Sequence, residues 1–354
     1  MSRVFQIVCV AAIVAALGSA AMAVDIVTVP VGNANNTADT RYATPGYGAV
    51  SYAYNIGKYE VTAGQYRDFL NAVDPNGANP YGLYNSSMNS SSYGCQITWN
   101  SGSNVYDFSG APSGTAADWE NRPVNYVSFW DAARFANWLH NGQGAGDTET
   151  GAYTLTSDGM SANTITRNAG ATWVVTSEDE WYKAAYYSGS GSTYYDYPTS
   201  SDTAPGYVNN SGNLSGTGAP FTEGGTDPGN YATYDGDGGT NGIGPDYYRT
   251  EVGEWENSDS PYVTFDQGGN VWEWNEAITL GSYRGLRGGS FSGSGSNLLA
   301  SYRNSHYYPA SESNGVGFRV SEVPEPGTMA LLMLGGIGIL RRRKGAIGVS
   351  PEWH

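Results

Sequence analysis

The chain has 354 residues, 40% of them apolar, with 17 basic against 33 acidic side chains and a formal charge of −16. That balance excludes electrostatic binding to nucleic acid or to anionic membrane surfaces, and it favours bound divalent cations. Its only cysteines are Cys9 and Cys95, and Cys9 lies in a segment that reads as removable, so no intramolecular disulfide is available to the mature chain.

In chain order, residues 1–23 have the form of a secretory signal: Arg3 supplies the positive start, Val4 to Leu17 an apolar run, and Ala21-Met22-Ala23 a small-residue cleavage site. The run is too short for a membrane anchor. Residues 24–320 then form the body of the chain. A short strand is expected near Ala49 to Tyr54. Thr62, with Gln65 three residues on, opens a helix carrying Tyr66, Phe69, Leu70 and Val73. Ser128 with Asp131 opens a second, with Phe129, Ala132, Ala133, Ala136 and Leu139 at helical spacing and a stop at Asn141-Gly142. After a strand at Trp173 to Val175, Ser177 with Glu180 opens a third, through Trp181, Ala184 and Ala185. Each helix is short and amphipathic and must lean on other elements for stability. From Ser188 to Tyr248 the chain is rich in Ser, Asn, Asp and Gly, yet interleaved tyrosines can pin such loops onto a core. The last expected strand is Gly317 to Val320.

Within Asp266-Gln267-Gly268-Gly269-Asn270-Val271-Trp272-Glu273, a side-chain oxygen at Asp266, the carbonyls of Gly269 and Val271, and the Glu273 carboxylate can converge on one hard cation. The competing reading is that Asp266 and Glu273 cap turns. Residues 321–354 hold Val323-Pro324-Glu325-Pro326-Gly327, an apolar run over 329–340 and the basic cluster 341–344. This arrangement resembles the PEP-CTERM sorting signal of exopolysaccharide-making bacteria, with an ordinary tail anchor as the alternative; either leaves the folded body outside the cytoplasm.

Five ordered blocks carry a wider resemblance. They are Ile56-Gly57-Lys58-Tyr59-Glu60-Val61-Thr62 with Gln65-Tyr66; Arg122-Pro123-Val124 through Trp130-Asp131-Ala132 and Trp138-Leu139; Ser177-Glu178-Asp179-Glu180-Trp181 with Ala184-Ala185; Gly269-Asn270-Val271-Trp272-Glu273-Trp274; and Arg287-Gly288-Gly289-Ser290-Phe291 closed by Gly317-Phe318-Arg319-Val320. Over residues 50 to 320 the chain resembles the formylglycine-generating enzyme (sulfatase-modifying factor) family, although Val174 and Thr176 stand where that family has arginine and proline. The resemblance implies an α+β, loop-rich C-type-lectin-like fold with few short helices and strands.

It also implies chemistry that this chain lacks. The family's aerobic enzymes bind copper through two cysteines, whose positions fall at about Gly293 and Leu298 here. Copper is therefore not expected, no catalytic residue is assigned, and Cys95 reads as buried and idle. The family's iron branch uses three histidines; His140, His306 and His354 do not supply such a set, and both His140 and His306 read as structural or surface residues. The resemblance further implies structural calcium at Asp266, Gly269, Val271 and Glu273, and a second calcium at Asn230, the Tyr231 carbonyl, Asp246 and the Tyr248 carbonyl, for which Asp235-Gly236-Asp237-Gly238 could compete unless it is plain turn chemistry. A ligand cleft is expected around Ser290, Tyr302, Arg303 and His306, in loops of Tyr/Ser/Gly/Asn composition suited to binding, while Arg287 and Arg319 read as internal braces. The sequence thus points to an exported, calcium-stabilised, non-catalytic binding or structural component of the bacterial envelope or extracellular matrix. Its expected partners are an extracellular glycan or protein ligand and, at the tail, the sorting machinery. A formylglycine-generating oxidase or divergent oxidoreductase is the alternative.

Overall fold

The computed structural model describes residues 23–239 and 242–324. The expected signal segment, up to Met22, and the tail from Glu325 lie outside the described residues. The three expected helices form where their start signals place them. In α1 (Ala63–Val73) the Thr62 hydroxyl accepts the Gln65 N–H at 3.2 Å, and the Gln65 side chain accepts the Thr62 N–H at 2.9 Å. The same reciprocal cap opens the helix Phe129–His140 through Ser128 and Asp131, and the helix Glu178–Tyr186 through Ser177 and Glu180. Such a cap satisfies donors that the first turn leaves without partners and is worth about 1 kcal/mol. Counting the short turns Ser87–Ser90 (α2), Ala116–Glu120 (α3) and Ser157–Ser161 (α5), the two long helices are α4 and α6.

Helix α1 buries one stripe, Ala63, Tyr66, Phe69 and Leu70. Helix α4 is buried from Phe129 to Leu139 and runs through the main core. The rings of Phe69 and Phe135 meet at 5.3 Å between centroids and those of Phe135 and Phe318 at 5.4 Å, so the two helices and the C-terminal segment close on one aromatic cluster.

Two four-stranded sheets flank this core. In the first, β1 (Thr28–Val31), β2 (Tyr54–Gly57), β10 (Val320–Glu322) and β5 (Trp173–Val175) lie side by side in that order, all antiparallel. The second has the order β8 (Asn304–Tyr307), β7 (Tyr283–Arg287), β6 (Trp272–Thr279), β9 (Val316–Gly317), with β6 and β9 parallel. A small hairpin of β3 (Thr98–Asn100) and β4 (Val105–Asp107) packs beside α1.

Two expected strands shift. Ala49 to Ala53 does not join the ladder: the Val50 N–H goes to the Asn36 side chain and the Val50 carbonyl to the Asn35 N–H, which leaves Tyr54 to begin it. The expected strand from Gly317 to Val320 divides between the sheets, β9 ending at Gly317 and β10 beginning at Val320, with Phe318 and Arg319 buried at the crossing. Gly317 is required there, since a Cβ would lie 2.5 Å from the Val124 carbonyl oxygen.

Candidate cation site and binding face

Five fully buried arginines tie loops to the core: Arg122, Arg249, Arg284, Arg287 and Arg319. Arg319 sits where the two sheets meet. It donates through Nε to Glu273 Oε2 at 2.6 Å and through Nη2 to Glu273 Oε1 at 2.7 Å, and it also reaches the carbonyls of Gly57 and Phe265. Trp181 Nε1 donates to Glu273 Oε2 at 2.7 Å. Both oxygens of Glu273 are thus engaged, and the residue is the counter-ion of a buried guanidinium. This geometry disfavours Glu273 as a calcium ligand, because a carboxylate holding two arginine donors and an indole has little lone-pair capacity left for a metal.

Asp266 stands differently. Held at φ 60°, it accepts the Gly253 N–H at 2.6 Å, and burial pushes its pKa up to about 6 despite that bond and the nearby Arg319. Beside it lies Glu60, which the sequence reading had placed only in a signature block. Glu60 is 2% exposed and neither carboxylate oxygen has a hydrogen-bond partner. Burial first, then the neighbouring Asp266 and Glu273, hold its pKa well above the usual carboxylate range. Three carboxyls therefore share one guanidinium, and a proton or a bound cation must offset the surplus. Among the described residues no group of three or more His, Cys, Asp or Glu side chains converges as a metal cage. An ion here would draw on the Asp266 and Glu60 carboxylates and on backbone carbonyls.

At the second expected site the side chains make contacts of their own. Asn230 uses its side chain on Thr199 and Thr203, and Tyr231 stacks on Trp255 at 5.4 Å. Tyr248 packs on Tyr93 at 4.5 Å, while Asp246 adopts φ 90°. Asp235 accepts the N–H groups of Asp237, Gly238 and Gly239, which is turn chemistry.

The expected cleft residues also separate. Ser290 is 2% exposed, its Oγ 3.4 Å from Ser292 Oγ. Arg303 turns inward to Glu178 Oε2 at 2.5 Å, joining Arg287, which donates to Glu178 Oε1 and to the carbonyls of Ala300 and Tyr302. Outside remain Tyr302, tilted against Trp272 at 5.7 Å, and His306 beside Tyr283 at 5.8 Å. Tyr283 also meets Tyr308, 58% exposed, at 4.7 Å. The surface features are two aromatic clusters, Tyr302 with Trp272 and Tyr283 with His306 and Tyr308, on and around the edge strand β8, for which the run of tyrosines was the available sequence signal.

Neither position matched to the copper cysteines is organised around a ligand. Leu298 is fully buried against Ala232 and Tyr234, and Gly293 donates its N–H to the Ser290 carbonyl and accepts the Asp235 N–H. Cys95 is buried and free, and burial pushes its thiol pKa up, away from a reactive thiolate. His140 ends α4 with Nδ1 on Thr172 at 2.8 Å, a structural role.

The chain resembles several solved structures. Treponema denticola variable protein 1 is 22% identical, with 84% of this chain and 95% of that one covered and a TM-score of 0.48. CarF is 20% identical, covering 85% and 99% with a TM-score of 0.48, and PvdO from Pseudomonas aeruginosa is 15% identical, covering 84% and 94% with a TM-score of 0.43. No curated protein matches. A PEP-CTERM protein-sorting motif matches residues 322–344, which points to export to the cell envelope or the extracellular space; among the described residues no helix is long and apolar enough to cross a membrane. The model of the sulfatase-modifying factor enzyme 1-like domain matches residues 15–323, and with the mixed, loop-rich C-type-lectin-like fold described above, the chain belongs to that family.

Proposed function

We propose that this protein is a non-catalytic member of its family, released outside the cytoplasm through the N-terminal signal and serving as a binding or structural component of the bacterial envelope or extracellular matrix. The observation that carries this reading is the replacement of the copper-binding thiol pair by Gly293 and Leu298. A glycine bonded into a turn and a leucine packed in a small core offer no ligand for a soft metal ion. The test is copper(I) loading of the purified mature chain, with a cysteine-containing sulfatase peptide and oxygen. No aldehyde and no stoichiometric copper are expected. Turnover would overturn the reading in favour of an oxidase.

Binding is assigned to the exposed aromatic clusters, Tyr283 with His306 and Tyr308 and, separately, Tyr302 with Trp272, whose flat, amphipathic rings suit sugar rings or a protein surface. A glycan array with Tyr308→Ala and Tyr302→Ala as controls tests it; signals unchanged by both substitutions would rule these clusters out. Calcium belongs to the same proposal, with Asp266 and the orphaned Glu60 supplying the charge and Glu273, whose oxygens are engaged by Arg319, serving as the brace beside it. Its role would be to tie the loop carrying Asp266 to the sheet junction. Metal analysis after dialysis, and melting with and without chelator, check it. A melt unaffected by chelator removes calcium from the account.

A further inference from the structure

Residues 214–227, within the loop-rich stretch Ser188 to Tyr248, close on Glu254 and Trp255 to build a cavity. Phe221, Trp255, Leu214 and Pro220 give it apolar walls, Thr222 and Thr226 line it further, and its volume is about 170 Å³. Trp255 is fixed by its Nε1 donating to Thr233 Oγ1 at 2.9 Å and by stacking on Tyr231, and Phe221 stands against it at 5.5 Å between centroids. Asp227 also lines the cavity, but its carboxylate is saturated by the N–H groups of Gly229 and Asn257 and by the Ser258 hydroxyl. Glu254 is the carboxylate left for a ligand. Its oxygens accept the Gly224 N–H, at 2.8 and 3.1 Å, and the carboxylates Glu223, Glu256 and Glu251 act on it, Glu223 being itself paired with Arg122.

We propose that this cavity binds a compact organic ammonium group, seated against the adjoining rings of Phe221 and Trp255 and neutralised by Glu254. Aromatic faces attract a cation most when it is desolvated, and a lone carboxylate among other acids gains most from a positive guest. The volume is below the roughly 300 Å³ at which drug-sized pockets begin, so the guest is a head group or a small amine. A neutral sugar fits less well: the side chains lining the cavity offer only the two threonine hydroxyls as donors beside two carboxylates. Burial, with Glu223, Glu256 and Glu251 adding to it, raises the Glu254 pKa to about 7, a shift that a bound cation would reverse. The proposal is independent of both the calcium and the non-catalytic readings.

The experiment is calorimetric titration of the purified mature protein with choline, with its uncharged isostere 3,3-dimethylbutan-1-ol, with glucosamine and with glucose. Choline is expected to bind saturably and the isostere at least about tenfold more weakly. Glucosamine binding without choline binding would narrow the guest to a primary ammonium and still support the site. Glu254→Gln, whose amide oxygen can still accept the Gly224 N–H, should weaken the charged ligand about tenfold with an unchanged melting temperature, and Phe221→Leu should weaken it without touching the charge. Equal binding of choline and the isostere, glucose binding as well as glucosamine, unchanged affinity in Glu254→Gln, or no heat from either amine up to about 10 mM would each overturn the proposal.

Discussion

Replacing Glu273 by glutamine separates its two possible roles. The substitution keeps the shape and one acceptor but leaves Arg319 buried without its counter-ion, at a position where neither residue is solvent-exposed. Removing one partner of a buried pair costs about 3–5 kcal/mol. Here the loss should fall at the lower end, about 3 kcal/mol, because Glu60 is kept protonated partly by the Glu273 charge and can ionise towards Arg319 once that charge is gone. Urea unfolding followed by tryptophan fluorescence, with Trp181 in contact with the substituted side chain, measures the change. The decisive feature is its calcium dependence. As a counter-ion, Glu273→Gln loses the same stability in excess calcium and in chelator; as a ligand, its penalty would vanish in chelator. Glu60→Gln and Asp266→Asn should behave in the second way if they hold the ion. A Glu273→Gln penalty below about 1 kcal/mol, or one present only with calcium, would refute the brace assignment.

Three further outcomes follow from the same geometry. Leu298→Ala should cost about 2–5 kcal/mol in chemical unfolding, since its side chain is fully buried with Ala232 and Tyr234. Asp266 has a folded pKa of about 6, above its unfolded value, so the folded state holds the extra proton and stability without metal should fall as pH rises from about 4 to 6. Asp266→Asn should flatten that part of a melting-temperature profile, and an unaltered slope would count against the burial argument. Cys95 should fail to react with a thiol reagent in the native mature protein and give one equivalent in denaturant.

Features set by neighbours in sequence were legible before the fold was known. Thr62/Gln65, Ser128/Asp131 and Ser177/Glu180 are three residues apart, and their caps formed as expected. Strand β6 was not, because Glu273, Trp274 and Asn275 are all buried in succession and the alternation that marks a half-exposed strand is absent. Glu273 illustrates a deeper limit. A carboxylate that pairs with an arginine 46 residues away looks the same in sequence as one that binds calcium, and only the fold decides. Glu60 was hidden for the converse reason: its burial comes from packing around Arg319, and nothing in Tyr59-Glu60-Val61 marks it. The cavity of Phe221 and Trp255 was hidden because its walls come from two segments, 214–227 in the loop-rich stretch and 254–255 beyond it, that only the fold brings together.

The last strand of the fold, Val320–Glu322, is clamped between β2 and β5, and the sorting motif starts at its final residue. A pull on the tail would therefore load two ladders lengthwise, so that their hydrogen bonds resist together instead of opening one by one. Cutting the chain beyond Pro324 would remove the tail while leaving that mechanical junction whole. Val320–Glu322 is thus a junction able to carry a load from the tail and to outlast the tail's removal.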